Sequence, residues 1–151
     1  MPRFLRGLCF LSGINALYRL VSGMISAISP PDIDQAYIDS LFDRLNQFAI
    51  PIEGMPQEME EYYLNLMLSL GNIGAASFLF YGIEVVGLIL MFRLNRIGFL
   101  LYTASQLGLA FVPAIFGGFN RFGVTVLIAT LVWNAIWIIM YATQLKHFPK
   151  R

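Results

Sequence analysis

Residues Phe122 to Leu145 read FGVTVLIATLVWNAIWIIMYATQL, twenty-four positions without one charged side chain. A helix needs about 20 apolar residues to cross a hydrocarbon core of roughly 30 Å, so this stretch alone predicts a membrane span. The same reading extends outward. Ile97 to Phe116 holds 20 residues with no charge, and Tyr62 to Phe92 holds 31 with Glu84 as the single one. The last run is longer than a bilayer core requires. Its outer end, around Glu60 to Leu64, is expected to project from the membrane, or the helix to tilt.

Composition supports the same class. Of 151 residues 58% are hydrophobic and 13% charged, where soluble domains have roughly 45–50% and 25%. A globule this small buries too little surface to hide that excess, whereas a bilayer acts as solvent for it.

A fourth span is read over Gly7 to Ile28, interrupted by Arg19. A central arginine costs about 2.5–3.5 kcal/mol on insertion scales, which apolar neighbours offset. A cleaved signal peptide and a surface-lying amphipathic helix are the rival readings. The first lacks a compact apolar core ending in a small-x-small site. A lipoprotein site at Cys9 has too few residues before it.

The fold expected is therefore an all-α membrane protein. It is one transmembrane domain over 1–151, a bundle of four transmembrane helices at about 7–28, 62–92, 97–116 and 122–145. An acidic extracytoplasmic segment, 29–61, carries an amphipathic helix between the first two spans. Arg3, Arg6, Arg93, Arg96, Lys146, Lys150 and Arg151 fall on one side, and only Arg44 and Arg121 on the other. The positive-inside rule then places both termini in the cytoplasm and the Gly117–Gly118–Phe119–Asn120 turn outside.

In the outer segment Pro30-Pro31 ends the first helix, and Asp32 can cap a new one with Asp34 in its first turn. Ile33, Tyr37, Ile38, Leu41, Phe42, Leu45 and Phe48 follow the helical period, with Asp39, Asp43 and Asn46 opposite. This helix reads as a cap over the bundle. As a docking surface it would use Asp32, Asp34, Tyr37, Asp39, Leu41, Phe42 and Asp43. Its acids lack the ligand spacing of an EF-hand.

Polar residues inside the spans are the strongest lead. Ser12, Asn15, Arg19, Ser22 and Ser26 recur at helical spacing on one face of the first span, which should turn from lipid. Glu84, Gln106 and Asn134 are single polar groups in the other three. At 1.5 Å per residue from the cytoplasmic ends, Glu84, Gln106, Asn134 and Arg19 lie at about 12, 15, 18 and 20 Å. The expectation is an intramembrane ion pair between Arg19 and Glu84, with Asn15, Gln106 and Asn134 hydrogen-bonded around it. Such a cluster serves as interhelical glue, as an ion or proton relay built on Glu84, or as a lipid or cofactor contact.

Gly71, Gly74, Ala75, Ala76, Ser77, Gly82 and Gly87 in the second span, and Ala104 with Gly108 in the third, allow close helix approach. Pro113 can kink the third helix. Trp133, Trp137, Tyr141 and Tyr102 read as packing or interface residues.

No nucleophile stands beside a base, and no phosphate loop, dinucleotide fingerprint or metal-ligand spacing appears. One cysteine and one histidine make no metal or haem site. No cofactor is expected, and no basic tract suggests nucleic acid. Arg96-Ile97-Gly98-Phe99, with Tyr102 and Gln106 following, resembles small, uncharacterised four-pass bacterial membrane proteins over the last three spans. That resemblance implies a bacterial inner (plasma) membrane and carries no function. The sequence points to a non-catalytic accessory or assembly subunit of a larger membrane complex, with another membrane protein or a further copy of itself as partner. The alternative is a small transporter or channel built on Arg19 and Glu84.

Overall fold

The structure, a computed structural model, describes residues 3–30, 40 and 57–148. The amphipathic helix expected after Pro31, and with it the contact set Asp32, Asp34, Tyr37, Asp39, Leu41, Phe42 and Asp43, lies outside these residues. The described chain forms five α-helices: α1 (Arg3–Ile28), α2 (Gln57–Leu68), α3 (Leu70–Phe92), α4 (Arg96–Gly117) and α5 (Arg121–Ala142). A 3₁₀ turn, Leu145–His147, follows. Among them α1, α3, α4 and the segment from α5 through that turn are long and apolar enough to cross a membrane. The chain is a multi-pass membrane protein with a helical bundle.

The 31-residue apolar run is divided rather than continuous. Its first part belongs to α2, and the chain bends at Ser69 before α3 begins. The Ser69 N–H is shared between the carbonyls of Asn65 and Leu66, at 3.1 and 3.2 Å. Serine and glycine close together, here Ser69 and Gly71, are a common cause of such breaks. Beyond the break, α2 packs on the far ends of α4 and α5.

The packing order is α1 on α3, α3 on α4 and α4 on α5, each pair antiparallel. Between apolar helices in lipid, close approach depends on van der Waals contact and small residues. α3 supplies such a residue to each neighbour. Gly74 faces Gly23 of α1, and a Cβ built on Gly74 would stand 2.8 Å from the Ala27 nitrogen and from Ser26 Cβ. Gly87 faces Gly98 of α4, and a Cβ on Gly98 would come within 2.5 Å of the Gly87 carbonyl oxygen and the Met91 nitrogen. Backbone touches backbone at both crossings. Gly108 packs against the Phe80 ring, while Ala104 is exposed.

Antiparallel order gathers Arg3, Arg6, Arg93, Arg96 and Lys146 at one end of the bundle, called here the basic end. The α3–α4 connection at that end is short because α3 stops abruptly. The Asn95 N–H reaches the Leu90 carbonyl at 2.9 Å, and the Leu94 N–H reaches the Met91 carbonyl at 2.9 Å. This is a Schellman ending, with Leu94 at φ 56° where glycine is usual. A left-handed leucine costs about 1–2 kcal/mol. The Leu94 side chain offsets this by packing against the buried cluster of Leu5, Leu8, Leu88, Met91, Tyr102 and Tyr141. Asn95 then caps α4, accepting from the Ile97 N–H at 3.0 Å.

At the opposite end, Gly118 takes φ 103°, a conformation that glycine adopts readily. Asn120 caps α5, accepting from the Gly123 N–H at 2.8 Å, and its amide donates to the Glu58 carbonyl of α2 at 2.7 Å. The Tyr62 ring lies over Gly117 and Gly123, edge-on to Phe122 at 5.3 Å. Asn120→Ala therefore removes a helix cap and the tether to α2 together. We expect it to lower stability by about 1–2 kcal/mol, measured as an earlier thermal unfolding midpoint in detergent. An unchanged midpoint would show that α2 docks without this tether.

Candidate functional site

Three contacts set the level of the helices against one another. Leu20 of α1 lies over Gly82 of α3, Phe80 of α3 lies over Gly108 of α4, and the Asn134 amide of α5 donates to the Gln106 carbonyl of α4 at 2.8 Å. These bring Arg19, Glu84, Gln106 and Asn134 to one layer. All four, with Asn15, line a single cavity of about 560 Å³.

Its floor lies toward the basic end. The Tyr141 hydroxyl donates to Ser12 Oγ at 2.9 Å, and the Tyr102 and Tyr141 rings lie 4.6 Å apart. Both tyrosines are 1% exposed, and Leu5, Leu8, Cys9 and Met91 close the space below. Here α1 and α5 meet. Farther along they separate, since each packs instead on α3 or α4, and the cavity reaches the surface between them. Arg19 and Asn15 are exposed on the α1 side, and Trp133 is 62% exposed on the α5 side.

Glu84, in the cavity wall, is buried at 1% exposure. The Gln106 side chain is its hydrogen-bonding neighbour, and its Oε2 has no partner. The expected ion pair with Arg19 is not formed, nor is any other among the described residues. The reason is facing: Glu84 points inward from α3, whereas Arg19 lies at the opening between α1 and α5. Tyr81 stands within electrostatic reach of both charges. Asn134 does bond to α4, but through the Gln106 backbone, so of the expected side-chain network only the Glu84–Gln106 contact is found, and the five residues line a cavity. On α1, Ser12 and Ser26 turn to neighbouring helices, while Ser22 is exposed.

Several lining residues were not among those singled out by polarity. They are Ser77 and Tyr81, at helical spacing from Glu84 on α3, and Thr130, Trp133 and Trp137, at helical spacing around Asn134 on α5. That periodicity was the signal available for them. Pro113 of α4 also lines the cavity with Leu109, and a proline supplies no N–H for the carbonyl four residues before it. No group of three or more His, Cys, Asp or Glu side chains comes together among the described residues.

Neither a family model, nor a curated protein, nor a solved structure matches the chain.

Proposed function

We propose that this protein is a small transporter or channel-type protein that holds a polar solute within the bilayer, in the cavity between Arg19 and Glu84. One observation carries the reading: two opposite charges line the same cavity without pairing, one of them with a buried oxygen unmatched. Glue would use these groups on one another. Intramembrane ionisable residues that instead face a cavity are the usual markers of substrate and ion paths. The membrane implied by the resemblance is a bacterial inner membrane, and the concentration of Arg and Lys at the basic end supports cytoplasmic termini.

The single cysteine makes the test direct. In a Cys9→Ala background, Asn15→Cys, Ser77→Cys and Thr130→Cys should react with a membrane-impermeant, water-soluble thiol reagent. Ile128→Cys, on the 56% exposed outer face of α5, should not. Lack of reaction at all three cavity positions would return the cluster to a structural role.

A second reading keeps the expectation of an accessory subunit. It is favoured by the opening between α1 and α5, which a helix of another membrane protein or of a second copy could fill. Purification in mild detergent, followed by mass spectrometry of the intact assembly, would then yield a stoichiometric second chain.

A further inference from the structure

The charges in the cavity restrict what it can hold. A simple cation would meet Glu84 favourably but Arg19 unfavourably, and a simple anion would meet the reverse. A dipolar group, positive at one end and negative at the other, satisfies both.

Aromatic placement sharpens this. Tyr81 lines the same cavity as both charges, and Trp133 and Trp137 line the wall contributed by α5. Indole faces attract ammonium groups, alkylated ones included. Arginine presents a fork of donors to a phosphate or carboxylate. The cavity also opens sideways, between α1 and α5, toward the position that lipid takes around a bundle.

We infer that the cavity binds a zwitterionic head group, with its ammonium against Glu84 and the tryptophans and its phosphate or carboxylate on Arg19. This rests on the solute-binding reading above and names the solute class. The chemistry has two sources, the head group of a zwitterionic phospholipid entering from the side, or a free zwitterion entering from water.

The protein carries its own reporter, because its two tryptophans both line this cavity. Intrinsic fluorescence of the purified chain in detergent can be titrated with a short-chain phosphatidylethanolamine, the matching phosphatidylglycerol, glycerophosphoethanolamine and dodecyltrimethylammonium. Phosphatidylethanolamine should shift the emission saturably, and at lower concentration than phosphatidylglycerol. Glu84→Gln and Arg19→Gln should each weaken it about 10- to 100-fold, the usual weight of a hydrogen bond to a charged group. A matching response to glycerophosphoethanolamine assigns a free zwitterion, and a response to the lipid alone assigns the head group.

Equal responses to the two phospholipids would overturn the inference, as would a Glu84→Gln variant that binds like the parent. Dodecyltrimethylammonium binding that depends on Glu84 and improves in Arg19→Gln would also overturn it, while leaving the solute-binding reading intact. Arg19 is exposed, so its variant tests the anionic end of the ligand independently of any effect of Glu84→Gln on folding.

Discussion

Gly98→Leu is expected to separate α4 from α3 and unfold the bundle. A Cβ alone at this position would stand 2.5 Å from the Gly87 carbonyl oxygen and the Met91 nitrogen. Both are backbone atoms and cannot swing aside as a side chain would. Overpacking a core usually costs about 1–3 kcal/mol, and a clash with fixed backbone belongs at or above the top of that range. The contact also adjoins the Leu94 ending, where a short connection leaves little freedom to shift one helix along the other. Gly13→Leu is the control, since nothing lies within 4 Å of a Cβ there. It should change stability by less than about 0.5 kcal/mol. Thermal unfolding in detergent, read by circular dichroism, compares the two. Similar losses in both variants would show that the glycine crossing does not hold the bundle.

The second large effect has the opposite sign. Glu84→Gln, in the ligand-free protein, should raise stability by about 1–3 kcal/mol, because it removes a charge buried without a paired opposite charge. Glutamine keeps the shape of the side chain and its reach to Gln106 while removing the charge. Adding Arg19→Leu should give an effect that sums with the first to within about 0.5 kcal/mol, as for groups that do not interact. An ion pair predicts the reverse: Glu84→Gln destabilises, and Arg19→Leu then recovers part of the loss. The double-mutant cycle separates the two outright, and a coupling above about 1 kcal/mol would restore the pair.

What the sequence disclosed and what it withheld divide along physical lines. The spans were legible because bilayer thickness fixes a helix length, and runs such as Phe122–Leu145 meet it without ambiguity. The level of Arg19, Glu84, Gln106 and Asn134 was legible from helical rise alone, and the structure brings them to one layer. Gly74, Gly87 and Gly108 were legible as points of close approach, though not which helix each would meet.

Rotation and conformation were harder. Whether Arg19 and Glu84 pair depends on facing angles and side-chain torsions that a count of residues does not contain. The break at Ser69 was hidden because the residues around it are as apolar as the span itself. Leu94 was hidden for another reason: its left-handed backbone is chosen against local preference by the packing of its side chain. Trp133 and Trp137 were read as packing residues because their neighbours on α5 are apolar on every side, which leaves no polar face to orient the helix.

That uniformity gives the contacts of α5 a role in error correction. A helix alike all round can sit in a groove at several rotations and offsets with similar burial. On α5 three unlike features interrupt the sameness: Gly123 under Tyr62, Asn134 on the Gln106 carbonyl, and Tyr141 on Ser12. They are spread along the whole element, like the wards of a key. An offset of one turn, about 5.4 Å, breaks all three at once.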